Sequence, residues 1–218
     1  MKIKVNGISI NYEILGAGKP LLFIHGNSGN LHTFDILANA LKEQFTIYLI
    51  DSRNHGESSL TTSFHYMDMA HDIVCFIRAL DLKDVSVFGY SDGGIIGLMM
   101  ASFYPSVLSK LIVAGANLYP DGLKKNELLM MKNEYAKTKN PYLKMMIDEP
   151  HFSDKDLNRI QVPTLVLAGE HDVIRLNHTK KIYHQIPYSE LIICKSMTHG
   201  NYIENSAYLK SILIKFCK

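Results

Sequence analysis

The sequence predicts an α/β fold: a mostly parallel, eight-stranded sheet with helices on both faces. Three observations carry this. Apolar segments of strand length alternate with longer segments of helical period along nearly the whole chain. Gly89-Tyr90-Ser91-Asp92-Gly93 stands at the corner between one such strand and one such helix. Clusters rich in Gly, Ser, His and Asp follow the strands, at the edge where an open parallel sheet gathers its ligand site.

In chain order, residues 3–5 and 8–15 flank Asn6-Gly7 and read as a β-hairpin, with Ile8, Ile10, Tyr12 and Ile14 alternating. The Gly16/Gly18 turn is not a phosphate loop, because it precedes a strand and lacks the third glycine and the Lys-Ser/Thr pair. Residues 21–24 form an apolar strand and 31–42 a helix with Phe34, Leu37, Ala38 and Leu41 on one face. A strand at 45–50 and a helix at 66–80, with Ala70, Ile73, Val74 and Ile77 at helical spacing, come next. The strand 84–88 runs into the Ser91 corner, and the apolar run 95–104, stopped at Pro105, is a buried helix. Strands at 110–116, 163–168 and 190–194, a helix near 177–185 and an amphipathic helix at 202–216 complete the pattern.

The stretch 117–161 breaks this rhythm and is too long for a plain connection. It holds a helix at 125–137 with Leu128, Met131 and Tyr135 on one face. A second starts at Asn140-Pro141, with a cap and a proline at the first helical position, and a last turn starts at Ser153 in capping-box style. An inserted helical piece above a sheet is most simply a lid. The chain is thus expected to be one domain, 1–218, with a core of 1–116 and 162–218 and a lid insertion at 117–161.

Composition narrows the function classes. At 47% hydrophobic and 20% charged, the chain matches ordinary soluble globular proteins. A net charge of +2 without a Lys/Arg stripe gives no argument for nucleic acid or an anionic membrane as partner. Three scattered cysteines, Cys75, Cys194 and Cys217, point to a reducing compartment, and with no apolar signal or spanning run the expected location is cytoplasmic. No metal-ligand spacing and no dinucleotide glycine fingerprint occur, so no metal and no cofactor are expected.

The chemistry concentrates at Ser91. A serine on a tight strand-to-helix corner, flanked two residues away by glycines, projects its hydroxyl clear of the sheet. The helix N-terminus then aims free N–H groups at the same spot. His25-Gly26-Asn27, Asp51 to Ser58, Gly169-x-x-Asp172 and His199-Gly200 follow other strands. With these marks the chain resembles the α/β-hydrolase fold superfamily over nearly its whole length.

The resemblance implies a triad in the order Ser91, Asp172, His199: nucleophile, orienting acid, and general base and acid. A serine hydroxyl needs a base to take its proton during attack, and a buried carboxylate fixes the imidazole tautomer. Asp121, after an earlier strand, is a rival acid. The oxyanion donors implied are the backbone N–H groups of Asn27 and Asp92. His25 is expected to shape the oxyanion loop, and Asp51, Arg53 and Ser58 to form a local polar network. Asn54 stands where relatives usually carry glycine. The Asp92 carboxylate is expected to discourage anionic substrates.

Met130, Met131, Met145, Met146 and Tyr119 offer an adaptable apolar lining for a pocket under the lid. The partner expected is therefore a small-molecule ester, cleaved by a serine hydrolase through an acyl-serine intermediate. Thioester, amide or carbon–carbon bond cleavage, perhydrolysis and a small-molecule sensor on the same fold remain alternatives. A dehalogenase of this fold would need aspartate at position 91.

Overall fold

The computed structural model describes residues 1–218. β1 (Lys2–Val5) and β2 (Ile8–Leu15) form the hairpin, turned where Asn6 and Gly7 both take positive φ, 48° and 75°. Then follow β3 (Lys19–Ile24), a 3₁₀ turn (Leu31–Phe34), α1 (Asp35–Leu41), β4 (Phe45–Ile50) and α2 (Tyr66–Ala79). β5 (Ser86–Tyr90), α3 (Asp92–Phe103) and β6 (Lys110–Ala114) form the centre. A second 3₁₀ turn (Pro120–Gly122) leads into α4 (Lys125–Thr138), α5 (Pro141–Asp148) and α6 (Asp154–Asn158). β7 (Thr164–Gly169), α7 (Leu176–Gln185), β8 (Ser189–Cys194) and α8 (Lys210–Cys217) finish the chain.

The eight strands make one sheet in the order β1-β2-β4-β3-β5-β6-β7-β8. Only the β1–β2 and β2–β4 pairs are antiparallel. The inner strands are apolar on both faces because helices cover both. Pleating sends Val87, Leu111 and Val113 to one side and Phe88, Ile112 and Ala114 to the other. The first side packs on α2 and α3 through Ile73, Ile77 and Leu98, and the second on α1 and α8 through Leu37, Leu41 and Leu213. Helix α3 is buried from Asp92 through Ser102, which is why its sequence is apolar all round instead of amphipathic.

Two boundaries differ from the sequence expectation in ways that matter for the site. Helix α3 begins at Asp92, directly after Ser91, so the corner has no intervening loop. The expected helix at 202–216 is only α8, Lys210–Cys217. Its first part is a separate turn in which the amides of Ile203 and Glu204 donate to the Gly200 carbonyl, both at 2.8 Å. Asn205, at φ 50°, ends that turn, as a left-handed residue ends a helix. The amphipathic period persists because Tyr202, Ile203 and Leu209 are all buried, yet the backbone is broken between them.

Of the inserted helices, α4 and α5 reach the cavity in front of Ser91 through Met131 and Met146, and α6 packs against α3 and α7. Helix α4 has no buried residue. The segment is tied to the body by the Tyr142 hydroxyl, which donates to the Asn54 carbonyl, and by Glu149, which accepts from the His65 ring and the Tyr66 amide. Asn140 caps α5 and Ser153 with Asp156 boxes α6. No helix is long and apolar enough to cross a membrane.

Candidate active site

Ser91 adopts φ 54° and ψ −117°, a sparsely populated conformation for a residue with a side chain. The strand hands over to the helix here with no room to spare. A Cβ on Gly89 would strike the Gly93 carbonyl, and one on Gly93 would strike the Ile24 carbonyl. The Ser91 amide is anchored by donating to the Ala114 carbonyl at 2.8 Å, which leaves the side chain projecting above the sheet.

The structure brings the three distant residues together. The Ser91 hydroxyl lies 3.0 Å from His199 Nε2 across 108 residues of sequence. His199 Nδ1–H donates to Asp172 Oδ1 at 2.7 Å. Asp172 is buried and also accepts from the amides of Ile174 at 3.0 Å and Gly169 at 3.2 Å. Burial pushes its carboxyl up, but the bond and charge of His199 and the two amides outweigh it and hold the group below the ordinary aspartate range. Asp121 is exposed in the turn Pro120–Gly122, where its carbonyl accepts from Arg175, and the His199 ring bonds Asp172 instead.

The amides of Asn27 and Asp92 make no hydrogen bond within the protein, and both residues line the cavity in front of Ser91. Their side chains meet: Asn27 Nδ2 donates to Asp92 Oδ2 at 3.2 Å. Burial raises the Asp92 carboxyl, against hydrogen bonds from Tyr66 and Asn27 that hold it down. His25 shapes this loop, with Nδ1–H donating to the Gly26 carbonyl at 2.7 Å and Nε2 accepting from the Ser52 amide at 3.1 Å. Asp51 accepts from the Leu31 and Glu57 amides and from Asn11, Ser58 donates to the Asp51 carbonyl, and Arg53 grips Asp72 at 2.6 and 2.7 Å. The 51–58 run is thus a polar knot under the site. Asn54 takes φ 64°, the left-handed conformation its type tolerates.

The cavity encloses about 260 Å³. Met131 and Met146 from the inserted helices, with Leu123, Val173 and Ile174, form its apolar wall. Three residues expected there lie elsewhere. Met130 is 66% exposed on the outer side of α4, and Met145, 3% exposed, is part of the hydrophobic core. Tyr119 packs edge-on against His178, ring centres 4.6 Å apart, and does not line the cavity. Adjacent helical positions point about 100° apart, and here one methionine of each pair turns to the cavity while the other turns away from it.

Sequence reasoning missed Tyr66, Tyr90, Glu127 and Glu204, all of which line the cavity. Tyr90 had a signal in its place beside Ser91; the other three had none. It also missed His178, a buried ring whose Nε2 accepts from the Leu118 amide at 2.8 Å and so fixes the loop leaving β6.

Comparison with known proteins agrees with this architecture. The family model described as alpha/beta hydrolase fold matches residues 19–144, and the chain belongs to that family. The human protein named serine hydrolase BPHL is 29% identical over 91% of this chain and 79% of its own length. The AB hydrolase superfamily protein YisY of Bacillus subtilis is 26% identical over 96% of this chain and 95% of its own. Among solved structures, the esterase EaEST from Exiguobacterium antarcticum superposes with a TM-score of 0.86 at 22% identity, covering 99% of this chain and 98% of that one. A bromoperoxidase from Bacillus anthracis gives 0.87 at 22% identity with the same coverage. The family and the relatives together place this chain among hydrolases of the fold.

Proposed function

We propose that the protein is a serine hydrolase that cleaves small carboxylic esters through an acyl-Ser91 intermediate. The observation that carries this reading is the hydrogen-bonded chain from Ser91 through His199 to Asp172, at 3.0 and 2.7 Å, opening onto a cavity with two unpaired amides. The imidazole takes the hydroxyl proton as Ser91 Oγ attacks the ester carbonyl, and Asp172 stabilises the imidazolium that forms. The amides of Asn27 and Asp92 meet the developing oxyanion, where a single donor contributes about 3 kcal/mol to the transition state. His199 returns its proton to the alcohol leaving group. A water then repeats the sequence on the acyl-enzyme and frees the acid.

Cavity size and charge refine the substrate class. A space of about 260 Å³ suits a small ester, and the inserted helices serve as its lid. Asp92, Glu127 and Glu204 line it without any lysine or arginine, which favours neutral or cationic esters over those bearing a carboxylate. The human relative's name, serine hydrolase, and the EaEST esterase structure support the same chemistry.

The test pairs a fluorophosphonate probe with a panel of short-chain aryl esters, on wild type and Ser91→Ala. Covalent labelling of Ser91 and turnover that falls by at least about 10⁴-fold in the variant are expected. A folded wild type that neither takes the label nor hydrolyses any ester overturns the proposal.

A further inference from the structure

The loop that carries His199 leaves β8, the edge strand, and must reach Ser91 at the end of β5. Strands β6 and β7 lie between, so the span is about 14 Å at ordinary strand spacing. Asp172 sits after β7 and fixes the ring from that side only. Other ties hold the loop to the β7 end as well: the Ser196 amide donates to Glu170 at 2.8 Å, and the His171 amide to the Met197 carbonyl at 2.8 Å. Apart from the Ser91–His199 bond, one hydrogen bond joins this loop to the end of β5. The Tyr90 hydroxyl donates to Glu204 Oε1 at 2.9 Å.

Three further features converge on that bond. Tyr90 directly precedes Ser91, and its ring lies against the His199 ring with centres 5.2 Å apart. Glu204 is held by the compact turn in which its own amide donates to the Gly200 carbonyl at 2.8 Å. Gly200, the residue after His199, leaves the space the bond occupies. A Cβ there would come within 2.9 Å of Glu204 Oε1 and 3.0 Å of the Tyr90 hydroxyl. The broken helix, the glycine after the histidine and the tyrosine before the serine thus share one outcome.

We infer that Tyr90 and Glu204 form a clamp that sets His199 over Ser91, with Gly200 as the gap that admits it. Both are positioning residues: they act through the imidazole and the loop that bears it. The inference deepens the proposed hydrolase function and rests on it for its kinetic readout.

The experiment measures kcat and KM on a neutral short-chain ester, together with the rate of fluorophosphonate labelling, for Tyr90→Phe, Glu204→Ala, Glu204→Gln and the Tyr90→Phe/Glu204→Ala double variant. Loss of the bond lowers kcat and the labelling rate at least about ten-fold with KM little changed, since the reacting atoms lose alignment. Glu204→Gln keeps an acceptor for the tyrosine and recovers most of the rate that Glu204→Ala loses. The double variant is no slower than the worse single one, because both remove the same bond. Unchanged kcat in the single variants, multiplying effects in the double, or a change confined to KM would each overturn the clamp.

Amide hydrogen exchange over residues 198–205 separates this from failure of the hydrolase reading. It speeds up in Tyr90→Phe and Glu204→Ala, and not in Glu204→Gln, whether or not the protein turns over an ester. Equal exchange in all four proteins removes the clamp even if the wild type is an active esterase.

Discussion

Asp172 illustrates how burial and hydrogen bonding decide a single residue's task. Removed from water, its carboxyl would tend to hold a proton, yet His199 and two amides keep it ionised below the usual aspartate range. The acid loss of activity is therefore expected to follow a single proton, with Asp172 still charged. The measurement is the acid limb of log(kcat/KM), whose slope should be one. A slope of two in the range where carboxylates ordinarily titrate would contradict it. Asp172→Asn presents an amide to the ring, frees it to adopt the wrong tautomer and should lower kcat by about 10⁴-fold.

At the scale of an element, the strand–corner–helix unit stores strain where the chemistry needs it. Ser91 at φ 54° holds a conformation that costs a residue with a Cβ about 1–3 kcal/mol. The surrounding glycines cannot be enlarged without collision, so the corner cannot relax. Ser91→Gly should accordingly be inactive but more stable than wild type, by about 1 kcal/mol or a few degrees in Tm. Thermal unfolding of the two proteins checks this; a less stable variant would mean that the corner is not strained. A second element, the turn 200–205 with α8, shows a helix interrupted so that Glu204 can face Tyr90.

For the whole molecule, two buried histidines set the response to acid. Burial, with the neighbouring His55 adding to it against the bond to the Gly26 carbonyl, lowers His25 to about 4. Burial with Arg175 and Lys181 nearby lowers His178 to about 4. Each ring accepts a backbone N–H at Nε2, a bond that protonation destroys. In the unfolded chain both protonate near the ordinary value of about 6.5. Between those limits the unfolded state binds more protons, so stability is full above about pH 6.5 and is lost as pH falls toward 4. The loss is on the order of 3 kcal/mol per ring once both states are fully protonated. Urea unfolding at pH 7 and pH 5 reads it directly. His178→Gln, which keeps an acceptor that does not titrate, should roughly halve the dependence.

Periodicity and a few short motifs were enough to foresee the eight strands and the covering helices, because each depends on neighbours in the chain, while the order Ser91, Asp172, His199 was what the family resemblance implied. A strand's alternation, a helix's apolar stripe and the glycines around Ser91 are local demands of backbone and burial. Which methionine of a pair faces the cavity, and that residues 201–209 break from the last helix, depended on what lies across the fold. Met145 went to the core and Met130 to solvent because of the surfaces that met them. The acids of the cavity wall, the ring of His178 and the bond from Tyr90 to Glu204 join residues as much as 114 positions apart. Such contacts leave no mark in a single sequence, since nothing local favours them; they exist only once the sheet has set the distances between its strand ends.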